Sequence, residues 1–165
     1  MERLYIIDPY DNDHVNLLMN YEKENKVSTK SLETLLKVRE SLSKEEYQEL
    51  KKNINDIEMS LILEESGTIK DLCFIQGEKD IKTCKLFFTP IVPKTKTRKL
   101  LNLATDFALN TLGMESVFVL TNKEDKVMHT SLENRGYESL GVEGDSIIYL
   151  KEQEFELEHN HINNI

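Results

Sequence analysis

Hydrophobic positions along the chain fall into alternating and helical stretches in a definite order. Leu4 to Ile7 is a short apolar run, ended by Asp8, Pro9 and Asp11, and it predicts a strand. From Asn12 to Asn55 the spacing turns helical. Val15, Leu17, Leu18 and Tyr21 mark one short helix, and Leu32, Leu35, Leu36 and Val38 a second. Ser43 and Glu46 have capping-box spacing and open a third, which carries Tyr47, Leu50 and Ile54. The many Lys and Glu residues here fit the solvated faces of amphipathic helices.

The middle of the chain alternates instead. Met59 to Glu64, Ile69 to Gln76 and Ile81 to Val92 predict three strands, separated by turns at Ser66-Gly67 and Gly77 to Asp80. Together they read as an antiparallel meander. With the second turn centred between Glu78 and Lys79, Cys73 and Cys84 would stand opposite each other. Leu100 to Leu112 repeats at helical spacing and Gly113 closes it. Ser116 to Thr121 is too apolar for an edge, and predicts a central strand parallel to the one before the helix. Lys126 to Asn134 predicts a last helix ending at Gly136, and Tyr137 to Lys151 a closing hairpin. The order β, three helices, β-β-β, α, β, α, β-β is α+β in class: a mixed, mostly antiparallel sheet flanked by helices on both faces.

The chain has 165 residues, enough for one domain with its own core, expected over 1–152. The segment 153–165 is polar and aperiodic and reads as a flexible tail. Lys+Arg 21 against Asp+Glu 30 gives a formal net charge of -9, which disfavours nucleic acid and favours cationic partners such as amines. No apolar run approaches a membrane span and no signal peptide is visible, so the expected location is cytoplasmic. Two cysteines are too few for a disulfide scaffold, and buried thiols are the expected state. The histidines at 14, 129, 159 and 161 recur at no metal-ligand spacing with the cysteines, so no metal is expected.

One segment departs from this acidic background. Val92 to Lys99 holds four cations and no acid, just before and over the first turn of the Leu100 helix. Cations are unfavourable at that end of a helix dipole unless an anion sits there. Lys94, Thr95, Lys96, Thr97 and Arg98 are therefore candidate phosphate ligands.

The order of elements and the residues from Leu86 to Tyr149 resemble the GNAT superfamily of acyl-CoA-dependent N-acyltransferases. Leu100-Leu101 and Phe107-Ala108 match the family's helix, Gly113 to Val119 its next turn and strand, and Asn134-Arg135-Gly136-Tyr137 its helix-ending signature. Gly144 to Tyr149 is similar to its closing hairpin. The family's loop pattern, Gln/Arg-x-x-Gly-x-Gly/Ala, falls on Val92, Thr95 and Thr97. Its usual general-acid tyrosine falls on Leu132, and its asparagine on Asp125, with Asn122 three residues before.

This resemblance implies acetyl-CoA as acyl donor, transfer to an amine of a small molecule or protein, and a homodimer as one possible assembly. It implies a splay between the strand ending at Thr89 and the Val117 strand. Phe87, Phe88 and Thr89 would pair with the pantetheine arm, Lys94 to Arg98 would hold the pyrophosphate, and Asn122 is a further cofactor-binding candidate. With leucine at position 132, Ser131 and His129 are the replacement candidates for proton transfer, and Glu64 and Glu65 are candidate bases. The alternative is a GNAT-like binding or regulatory module without catalysis.

Overall fold

The computed structural model describes residues 1–89 and 98–154. Strand β1 (Glu2–Ile6) leads into three helices, α1 (Asn12–Asn25), α2 (Lys30–Ser41) and α3 (Lys44–Asn53). The meander follows as β2 (Asp56–Glu65), β3 (Thr68–Glu78) and β4 (Thr83–Phe88). Then come α4 (Lys99–Asp106), β5 (Ser116–Asn122), α5 (Lys126–Asn134), β6 (Glu138–Glu143) and β7 (Ser146–Glu152). All seven strands form one sheet in the order β1-β2-β3-β4-β5-β7-β6. Among the described residues its single parallel pair is β4 with β5, and α4 lies between them in the chain.

Helices α1, α2, α3 and α5 start where a side chain can accept their free N–H groups, while α4 has no side-chain cap. Asp11 does so for α1 and Thr29 for α2. Ser43 and Glu46 form the full reciprocal capping box of α3, and Asp125 caps α5. Helix α4 does not stop at Asp106. It widens into a single π turn over Phe107–Thr111, with the Leu112 N–H donating to the Phe107 carbonyl at 3.0 Å.

The sheet separates two cores. On one face Ile62, Ile69 and Leu72 pack against Val15, Leu18 and Tyr21 of α1 and Leu32 and Leu35 of α2. On the other, Leu61, Cys73, Leu86, Val117 and Val119 pack against Leu100, Leu101 and Ala104 of α4 and Met128 and Leu132 of α5. Successive side chains of β2 and β3 point to opposite faces, and both faces are covered there, so each strand has a run of five buried residues.

One register differs from the sequence expectation. The β3–β4 turn occupies Lys79 to Lys82, with Lys82 at φ 50, and Gly77 lies inside β3. Cys73 therefore pairs with Phe88, and Cys84 with Gly77. The turn sits two residues later than Gly77 to Asp80, and this moves the partner of Cys73 four positions along, from Cys84 to Phe88. Both are buried free thiols. Burial raises Cys73 well above the usual thiol value and pushes Cys84 up to about 12.

Gly77 has a steric reason. A Cβ there would lie 2.6 Å from both the Cys84 Cβ and the Thr83 carbonyl oxygen. Gly77→Ala is expected to cost about 1–3 kcal/mol of stability, the usual range for overpacking. A lowered denaturant midpoint with unchanged slope would show this; an unchanged midpoint would contradict it. The two thiols are expected to resist a disulfide reagent at pH 8 in the native protein and to react fully once it is unfolded. Rapid native labelling would contradict their burial.

Candidate active site

The β4–β5 ladder runs Thr83↔Ser116, Cys84↔Val117, Lys85↔Phe118 and Leu86↔Val119, and ends there. Beyond that point β4 stays with β3, pairing Phe87 with Phe74 and Phe88 with Cys73. Meanwhile β5 stays with β7, pairing Leu120 with Ile148, Thr121 with Ile147 and Asn122 with Ser146. Two adjacent central strands thus part in mid-sheet. The edge of β4 from Phe87 to Thr89 faces the gap, where an extended ligand can take the place of a strand.

Arg98, immediately before α4, holds one side of this gap. Its side chain is only 3% exposed. Nε and Nη2 donate to the two carboxylate oxygens of Asp71 on β3, at 2.8 and 2.7 Å. Nη2 also donates to the Thr89 carbonyl at 2.9 Å, and the guanidinium lies 4.9 Å from the centre of the Phe88 ring. Burial works against the charge, but the hydrogen bonds and charge of Asp71 outweigh it and raise the arginine further. The backbone N–H of Arg98 donates to Ser131 Oγ at 2.7 Å, which ties α5 to the start of α4. On the opposite face, the Tyr21 hydroxyl of α1 meets Thr89 Oγ1 at 2.8 Å. The end of β4 is therefore fixed from both sides of the sheet.

Solved structures superpose on this fold. The ribosomal-protein-S5-alanine acetyltransferase of Vibrio fischeri superposes with a TM-score of 0.66 at 10% identity, over 93% of each chain. Spermidine N-acetyltransferase of Vibrio cholerae gives 0.62 at 15% identity, over 92% of this chain and 94% of that one. The N-acetyltransferase PseH of Campylobacter jejuni, in complex with acetyl coenzyme A, gives 0.61 at 11% identity, over 93% of this chain and all of the other (100%). This chain has the GNAT fold. No family model matches the sequence, and no curated protein matches it either.

The GNAT fold places the candidate residues in very different settings. Phe87, Phe88 and Thr89 lie at the parting strands. Lys94, Thr95, Lys96 and Thr97 lie outside the described residues. Arg98 Nε and Nη2 are engaged by Asp71 and the Thr89 carbonyl in a buried setting, where the sequence suggested an open pyrophosphate ligand. Asn122 Oδ1 accepts from the Glu124 N–H at 2.8 Å and shapes the turn before α5.

The proton-transfer candidates are also redistributed. Ser131 is buried, and its hydroxyl donates to the Val127 carbonyl while accepting from Arg98, so its only proton is already engaged. His129 Nε2 faces the Lys123 carbonyl at 3.1 Å and so carries the hydrogen. Its Nδ1 lies 2.8 Å from the Tyr149 hydroxyl, on the α5–β7 side. Glu64 accepts from Arg3 Nε at 3.0 Å and from the Gly67 N–H at 2.9 Å. The Arg3 bond, then the Gly67 bond, holds its carboxyl below the usual range, and β3 separates its strand from β4. It is a poor base there. Leu132 is fully buried in the core.

Sequence reasoning passed over Tyr21 and Asp71. Burial raises the Tyr21 phenol above the ordinary tyrosine value, so it stays protonated through the neutral range. Tyr21 sits at helical spacing with Leu18 and reads as a core position; Asp71 reads as a polar strand residue. Neither carries a local motif. Among the described residues no group of three His, Cys, Asp or Glu side chains could hold a metal ion. No helix among them is long and apolar enough to cross a membrane.

Truncating one partner of the buried pair leaves the other charge unpaired. Asp71→Ala is expected to cost about 3–5 kcal/mol, and an Asp71→Leu/Arg98→Met double variant to recover much of that loss. Denaturant unfolding of the three proteins checks this. Equal destabilisation by the single and double variants would show that the pair is not what matters.

Proposed function

We propose that this protein transfers an acyl group from acetyl-CoA to the amine of a cationic acceptor. The observation that carries this reading is the parting of β4 and β5 beyond Leu86 and Val119, inside a fold shared with N-acetyltransferases. One neighbour is named for spermidine and another for a ribosomal-protein alanine. The net charge of -9 favours a cationic acceptor of either kind.

When bound, acetyl-CoA supplies a thioester whose C–S bond breaks as the acceptor nitrogen forms the new C–N bond. The nitrogen releases a proton to water and the departing sulfur takes one up. The β5-facing edge of Phe87 to Thr89 binds the pantetheine arm as an added strand and orients the carbonyl. Arg98 keeps that edge in place by holding the Thr89 carbonyl. We assign proton donation to the phenol of Tyr21, the described hydroxyl donor that reaches the end of β4 from the α1 face. The basic segment Lys94 to Thr97 supplies phosphate contacts in this reading, and the protein works in the cytoplasm.

Acetyl-CoA at a hundredfold excess over its dissociation constant should stabilise the protein by about 2.7 kcal/mol. Absence of any thermal shift at millimolar acetyl-CoA would overturn the proposal. Tyr21→Phe should lower turnover on the order of 100-fold, as loss of a general acid does, while coenzyme affinity is retained. Unchanged turnover would remove Tyr21 from the chemistry without touching the coenzyme site.

A further inference from the structure

A cavity of about 180 Å³ lies between α2, α3 and the first half of β2. It is on the α1–α3 side of the sheet, away from α4 and the Arg98–Asp71 pair. Leu35, Val38, Leu42, Ile54 and Phe74 supply apolar wall. An engineered cavity of about 150 Å³ with such walls accepts benzene, so this one has room for a single ring.

Polar groups stand at both ends, and they differ. At the buried end Ser60 Oγ donates to Ser31 Oγ at 2.7 Å. The two residues are 7% and 4% exposed, and both line the cavity. Among the described residues the Ser31 hydroxyl has no acceptor for its own hydrogen. The pair therefore offers one donor and free lone pairs, the complement of a ligand hydroxyl. At the exposed end stand Asp56 and Glu58, neither in an ion pair among the described residues. The cation lining the same space, Lys51, has its Nζ 5.3 Å from the centre of the Tyr47 ring. Asp56, Glu58 and Ser60 occupy alternate positions on one face of β2. Glu58 is thus about 7 Å and Asp56 about 13 Å along the strand from Ser60.

We infer that this cavity is a ligand site of its own, for a small amphipathic amine: a hydroxyl at one end, an aromatic or short aliphatic body, and an ammonium group at the other. The hydroxyl meets Ser31 and Ser60, the body fills the apolar middle, and the ammonium faces Glu58 and Asp56. The site does not require the coenzyme cleft to be occupied.

Tyramine has this pattern and is the probe, titrated into the full-length protein without coenzyme and followed by NMR. Phenethylamine, lacking the hydroxyl, and 4-ethylphenol, lacking the amine, are the controls. Tyramine should give saturable shifts centred on Leu35, Tyr47 and Phe74. Phenethylamine should bind about 3–10-fold more weakly, the range for one lost hydrogen bond, and 4-ethylphenol more than about 10-fold more weakly, the range for a lost charged partner. Glu58→Gln should weaken both amines and leave 4-ethylphenol unchanged. Thr34→Phe, which fills the cavity from a half-exposed helix position, should abolish binding while the melting temperature is kept. No saturable shift in the wild type, equal affinity for all three probes, or undiminished binding to a folded Thr34→Phe protein would each overturn the inference. These readings use no coenzyme, so they stand or fall separately from the acyl-transfer proposal.

Discussion

Asp71 and Arg98 meet inside the protein with two hydrogen bonds between them, and the surroundings of the cleft converge on that pair. It joins β3 to the start of α4. Through Nη2 it reaches Thr89, the residue after β4, and through the Arg98 N–H it reaches α5. A buried ion pair returns little net stability compared with an apolar substitute. What it supplies here is direction: the arginine sits over the Phe88 ring and donates to the Thr89 carbonyl as well as to Asp71. The same guanidinium that looks available for a phosphate in the sequence is thereby committed to the frame of the cleft.

The parting of β4 and β5 follows from who their other neighbours are. Through Phe88, β4 remains zipped to β3, and through Asn122, β5 remains zipped to β7. Each strand keeps one full ladder, so separating them costs only the ladder they share. The cores on the two faces keep the separation from propagating. Leu86 and Val119, the last pair before the gap, are buried beneath α4 and α5. On the other face Tyr21 pins Thr89 to α1.

Much of the fold was legible in the sequence. Helical spacing around Leu100 and Leu101, the Ser43–Glu46 capping box and the apolar run at Val117 all report local physics, and each element forms where that physics puts it. The cysteine register was not legible. It depends on where a four-residue turn begins, and Gly77 looks like a turn glycine although it is a strand glycine opposite Cys84. Phe87 to Thr89, drawn in through the resemblance, lie where β4 and β5 part. Asp71, Tyr21 and the structural use of Ser131 and Arg98 were hidden, since each is defined by a partner at least 27 residues away. Glu64 and His129 were drawn in by residue type and are held elsewhere by Arg3 and Tyr149.

Amide hydrogen exchange with and without acetyl-CoA tests the central claim most directly, because it reports on the gap residue by residue. The account predicts that coenzyme slows exchange at Phe87 to Thr89 on the exposed edge of β4, and leaves the α3 amides unchanged. Protection confined to other regions, with the β4 edge exchanging as before, would contradict a coenzyme cleft between these strands.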